Sequence, residues 1–189
     1  MTSTLYYIHD PMCSWCYGFA PTWKRIQENL PSTIKVEYVV GGLAPDNDDP
    51  MRETTRAMVK GAWQKIHDML GTEFNFDFWS KNIPRRSTYP ACRAVIAAKK
   101  QRYEKEMIWA IQQGYYLRAL NPSDDDILIL LATELEIDIN QFKFDLNSNE
   151  TEQELQNQIS LSRRLTKRGF PSLVLEHNNI CHFIEHDYK

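Results

Sequence analysis

A strand, a helix and a second strand follow one another in the first 43 residues, and two cysteines sit at the joint between the first two. TLYYIHD, residues 4–10, is a short β-branched and aromatic run closed by Asp10-Pro11, which suits a strand buried on both faces. From Ser14 to Leu30 the residues Phe19, Trp23, Ile26 and Leu30 recur at spacings of three and four, which predicts a helix with a kink at Pro21. Pro31 ends it, and IKVEYVVGGL, residues 34–43, reads as a second core strand closed by Gly41-Gly42 and a polar loop. This is a βαβ unit with parallel strands and a right-handed crossover. It puts Cys13 and Cys16, in HDPMCSWCYGF, at the carboxyl edge of the first strand, where open α/β sheets hold their sites.

Strand character then disappears for a long stretch. Helical spacing predicts helices over 51–70, 88–100, 102–120, 123–136 and 150–167, with Gly71 and Asn121-Pro122 as breaks. Phe74, Phe76, Phe78 and Trp79 form an aromatic cluster that fits either a loop or the start of a helix. Ser123-Asp124-Asp125-Asp126 has enough carboxylates to suggest a cation site, but a serine N-cap followed by acids in the first helical turn accounts for it. Strand chemistry returns in RGFPSLVLEHNNICHFIEH, where SLVLE and ICHFIEH flank an HNN turn and predict an antiparallel hairpin. The expected architecture is an α/β core, residues 1–49 and 146–189, split by a helical domain at 50–145.

Basic and acidic residues nearly cancel, 22 against 25, so no charge surplus points to nucleic acid or an anionic membrane. The N-terminus lacks a basic region, an apolar run and a small-residue cleavage site, and no stretch reaches the roughly 18 apolar residues of a membrane span. A soluble, cytoplasmic protein is expected. Four cysteines are too few to staple a chain of this length, and Cys92 and Cys181 stand alone; both are expected to behave as small buried hydrophobes.

The C-x-x-C spacing puts Cys13 and Cys16 on one helical face. The free amides and positive dipole at a helix start stabilise a thiolate on the first cysteine. Cys13 would attack a disulfide and Cys16 would resolve the product. Zinc is the main rival, but a closed site needs four ligands, and His9, Cys92, Cys181 and His182 are scattered. An inert pair is the third alternative.

DPMCSWCYGF resembles the active-site segment of the DsbA-like branch of the thioredoxin superfamily, especially its FrnE-like members. Gly169-Phe170-Pro171 sits where that superfamily carries a cis proline before the strand opposite the cysteines, and the long helical stretch agrees with the same plan. The resemblance covers essentially the whole chain. It implies a thioredoxin-like fold with a helical domain inserted between the second strand and the cis-proline segment. It also implies a thiol–disulfide oxidoreductase or protein disulfide isomerase acting on protein or peptide thiols, with glutathione as a further candidate partner and no metal or bound cofactor.

By the same analogy the backbone of residue 170, with Pro171, would pair with a bound substrate beside Cys13, and Ser14 and Trp15 would influence substrate contact and redox poise. Glu37, in the middle of the second strand, is the candidate for the superfamily's buried proton relay, against a plain solvent-facing role; His9 is a second candidate. Asp10 is weighed with His9, chiefly as a helix cap. Two departures stand out. Phe170 is bulkier than the residue usual before this proline, and the sequence stops at Lys189 after the hairpin, which leaves the sheet exposed or covered by a second copy in a homodimer. Two alternatives remain: a glutathione-dependent isomerase or transferase of the 2-hydroxychromene-2-carboxylate isomerase (kappa) type, which generally has serine where Cys13 stands, and a noncatalytic chaperone-like binding module.

Overall fold

The computed structural model describes residues 3–188. One sheet of order β2-β1-β3-β4 is built from β1 (Ser3–His9), β2 (Ile34–Val40), β3 (Ser172–His177) and β4 (Ile180–Ile184). β1 and β2 are parallel, with His9 opposite Val40, and α1 (Ser14–Asn29) connects them. β3 runs antiparallel to β1, and β4 antiparallel to β3. Asn178 and Asn179 form the tip of that last hairpin at φ 52° and 62°. Two left-handed residues give the turn whose twist suits paired antiparallel strands, and asparagine tolerates that region better than most side chains.

Because side chains alternate along a strand, the sheet has two different faces. Leu5, Tyr7, Tyr38 and Val40 belong to the larger core with Phe19 and Trp23 of α1, and Tyr7 stacks on Trp23 at 4.4 Å. Ile8, Val39 and Val174 form a second core under Leu161 and Leu165 of α8 (Asn149–Leu165). β2 lies at the edge of the sheet, so only its last three residues are buried, which corrects the expectation of a second core strand.

Between β2 and α8 the chain forms α2 (Glu53–Leu70), α3 (Phe78–Lys81), α4 (Tyr89–Lys100), α5 (Glu104–Tyr116), α6 (Asp125–Glu134) and α7 (Ile139–Leu146). Trp63 of α2 is wholly buried, with the rings of Phe74, Trp79, Tyr115 and Tyr116 within 4.9–5.3 Å. The aromatic cluster is therefore core, half loop and half α3. Arg102 and Ala119 take positive φ, 71° and 56°, so the helix predicted over 102–120 is confined to α5.

α7 had no counterpart in the sequence pattern. It is short, and Asp138 caps it by accepting from the Gln141 N–H at 3.0 Å. Ser123 is not the cap of α6. Asp124 holds that position without a side-chain capping bond, its carboxylate accepting from Arg85 instead, and the Ser123 hydroxyl donates to the Ser87 carbonyl at 2.7 Å; Asp125 and Asp126 do fall in the first turn.

Candidate active site

β1 ends at His9, and residues 10–13 turn the chain into α1, with Cys13 at the N-cap and Cys16 in the first turn. The Cys13 N–H donates to the Asp10 carbonyl at 3.0 Å and the Tyr116 hydroxyl donates to the Met12 carbonyl at 2.8 Å, which fixes the turn from both sides. Both thiols are free, Cys16 wholly buried and Cys13 7% exposed. The Cys13 thiol is pulled below its ordinary range, first by a hydrogen bond from the Cys16 thiol and then by the N–H groups of Cys16 and Trp15, against burial and the Asp10 charge. Cys16 is pushed well up, chiefly by burial and then by its neighbour Cys13. One sulfur is thus prepared as an anion and the other held as a proton donor.

Opposite this pair lies the segment before β3. The Phe170–Pro171 peptide is cis, and Cys13 Sγ lies 3.7 Å from the Phe170 carbonyl oxygen, to which it donates while it is still a thiol. The half-buried Phe170 ring packs against the smaller core, and a Cβ built on Gly41 would lie 2.0 Å from its tip. The bulky residue before the proline therefore fits because glycine follows β2.

Asp10 is the carboxylate that the fold brings under the motif. It is wholly buried; its Oδ1 accepts from Met12 N at 2.8 Å, and its Oδ2 from Leu43 N and the Thr88 hydroxyl, both at 2.7 Å, and from the Cys92 thiol at 3.6 Å. Burial raises its pKa against the pull of these donors. Cys92 is accordingly a buried hydrogen-bond donor and not merely a small hydrophobe, and Cys181 is exposed on β4, contrary to expectation. The four-residue spacing of Thr88 and Cys92 across the start of α4 was the available signal, but the sequence does not say that this helix end meets Asp10.

The other named residues fall in different places. Glu37 pairs with Lys35 and, at 4.0 Å, with Lys99. His9 is wholly buried between rings, 5.2 Å from Tyr7 and 5.9 Å from Tyr38; neither ring nitrogen has a partner. Burial, with a smaller contribution from Lys99, lowers its pKa to about 3. Ser14 is nearly closed off, while Trp15 is partly exposed and meets the Tyr188 ring edge-on at 5.2 Å. Tyr188 belongs to the segment after β4, which returns over α1. Thr22 Oγ1 donates to the Tyr188 carbonyl at 2.9 Å, and the His186 ring lies 4.7 Å from Phe19. That segment covers the flank of α1 beside the cysteines, while β4 at the edge of the sheet stays largely exposed. Among the described residues, no group of three or more His, Cys, Asp or Glu side chains is arranged to hold a metal ion, and no helix is long and apolar enough to cross a membrane.

A thioredoxin family model matches residues 6–183. A candidate protein disulfide isomerase from Nitrosomonas europaea superposes with a TM-score of 0.87 at 29% identity, covering 100% of this chain and 92% of that one. The cytosolic disulfide reductase DsbM of Pseudomonas aeruginosa, also solved with glutathione, gives a TM-score of 0.81 at 23% identity, covering 96% of this chain and 89% of that one. In sequence, the ClpXP adapter protein SpxH of Halalkalibacterium halodurans is 25% identical over 139 residues, 68% of this chain and 44% of that protein. The chain thus spans less than half the length of that relative. The chain therefore belongs to the thioredoxin family, and its fold is that of the DsbA-like proteins.

Proposed function

We propose that the protein exchanges disulfides with protein or peptide thiols through Cys13 and Cys16. The observation that carries this is the asymmetry of the pair: Cys13 at the helix N-cap is favoured as thiolate and faces the Phe170 carbonyl, while Cys16 is buried and protonated. In the reducing direction, the Cys13 thiolate attacks one sulfur of a substrate disulfide, forms a mixed disulfide and releases the other sulfur as a thiolate that takes up a proton. Cys16 then loses its proton and attacks Cys13. The second substrate thiol leaves, and Cys13–Cys16 becomes a disulfide that carries the two electrons' worth of oxidation. Oxidation of a dithiol is the reverse sequence. The Phe170 ring packs against the smaller core, and the backbone of residue 170 would pair with the substrate strand.

The description of DsbM as a cytosolic disulfide reductase, and its glutathione complex, support a reducing role in the cytoplasm with glutathione as electron donor. The test is direct. Cys16→Ala is expected to accumulate a mixed disulfide through Cys13 with a disulfide-bearing peptide, and Cys13→Ser to abolish exchange; no adduct on the first variant counts against the mechanism. A binding or adapter role, suggested by the SpxH match, would survive replacement of both cysteines.

A further inference from the structure

A cavity of about 780 Å³ opens between α1, the end of α2 and α5, with Tyr7 and Tyr38 of the sheet among its lining residues. Small-molecule sites run to roughly 300–1,000 Å³ and occur where structural layers meet, so both size and place suit a ligand. Cys13, Cys16, Phe170 and Pro171 are not part of its lining, which separates it from the thiol site.

Aromatic rings dominate its walls. Trp23 on α1 and Trp109 on α5 join the two tyrosines, and Trp109 is 54% exposed, an unusual state for so large an apolar side chain. Such rings favour flat, unsaturated molecules, which they meet face to face or edge to face. The polar members are few: the amides of Gln27 and Gln112, the Thr72 hydroxyl, the carboxylate of Glu73, and the ammonium groups of Lys24 and Lys105. Lys105 Nζ lies 5.7 Å from the Tyr38 ring centre.

Charge decides which flat molecules fit. Lys99 and Lys100 are held by carboxylates at 2.9 Å, but among the described residues neither Lys24 nor Lys105 has a carboxylate within ion-pair distance. Two lysines without an ion-pair partner against one lining acid, Glu73, leave the lining itself with a net positive charge, and Glu104 and Glu106 act on its Tyr38 end from outside it. An anionic group on an aromatic frame answers both features, whereas a neutral hydrocarbon would leave the lysines unused and a cation would face repulsion.

We propose that this cavity binds a flat aromatic monoanion, an aryl carboxylate or aryl sulfonate, with its rings against Trp23, Tyr38 and Trp109 and its acid between Lys24 and Lys105. Binding is noncovalent and independent of the thiol chemistry.

The test titrates the full chain with 8-anilinonaphthalene-1-sulfonate, followed by probe and tryptophan fluorescence. One saturable site is expected. Lys24→Glu/Lys105→Glu should weaken binding at least tenfold while circular dichroism is unchanged, both side chains being exposed. Trp109→Ala should also weaken it, and 1-naphthylmethylammonium, a related ring with the opposite charge, should bind at least tenfold more weakly than the sulfonate. Replacement of both Cys13 and Cys16 by serine should leave the affinity unchanged. No saturable binding, or an affinity indifferent to reversal of the two lysines, overturns the proposal. Equal binding of the cation overturns the charge preference, and loss of binding on removing the thiols overturns the separation from the thiol site.

Discussion

Asp10 works on the cysteine pair through both its backbone and its charge. Its carbonyl holds the Cys13 N–H, and its carboxylate raises the pKa of both thiols while it ties the motif loop to Leu43, Thr88 and Cys92. Asp10→Asn removes the charge and leaves one amide edge that can only donate, facing groups that are themselves donors. Leaving a buried donor unpaired costs about 1–3 kcal/mol, so the variant is expected to be less stable by that order. Its Cys13 should be alkylated by iodoacetamide with a pH midpoint lower than in the parent protein, since an opposing charge is gone. An unmoved midpoint together with the loss of stability would reduce Asp10 to a structural brace. The position of Cys13 and Cys16 was readable because strand, helix start and spacing are all local features. The role of Asp10 was not, because three of its partners lie 33 to 82 residues away and hydrogen-bonding across such separations leaves no periodic trace.

At the level of elements, the end of β2 and the loop before β3 are fitted to each other. The Gly41 N–H donates to the His9 carbonyl at 2.7 Å, which extends the β1–β2 pairing by one residue, and the missing Cβ leaves room for the Phe170 ring. Gly41→Ala is expected to cost about 1–3 kcal/mol, the usual penalty for overpacking. Phe170→Leu should recover part of that loss, so a double-mutant cycle by urea unfolding should give a favourable coupling between the two substitutions. Additive effects would mean that ring and glycine do not meet. The sequence showed Gly41-Gly42 as the close of a strand and Phe170 as an unusual neighbour for the proline, yet nothing linked these facts. Helices with clear apolar spacing, such as α2 and α8, were readable almost to their ends. α7 was not, because eight residues give only about two turns of pattern and its cap, Asp138, stands between Ile137 and Ile139 in an alternation that does not read as helical.

The molecule as a whole carries an acid-sensitive weakness in its largest core. His9 is buried among Tyr7 and Tyr38 with both ring nitrogens unpaired, so it folds as the neutral base, and protonation inside the core has no compensating acceptor. Its pKa falls from 6.5 in the unfolded chain to about 3 in the fold. Below pH 6.5 the unfolded state therefore binds the extra proton and the native state does not. The contribution is fully present above pH 6.5 and is lost as the pH falls toward 3, at up to about 1.4 kcal/mol per pH unit. Asp10 acts with the opposite sign: its raised pKa makes the native state take up a proton first, so its contribution grows as the pH falls through that value. Comparing two proteins that both retain Asp10 removes most of this opposing effect. His9→Phe keeps a flat ring against Tyr7 and abolishes the titration; whatever small offset its size introduces, the slope of unfolding free energy against pH between 4 and 6.5 should be flatter than in the parent. Parallel slopes, measured by urea unfolding at several pH values, would show that His9 is not the group that makes this core sensitive to acid.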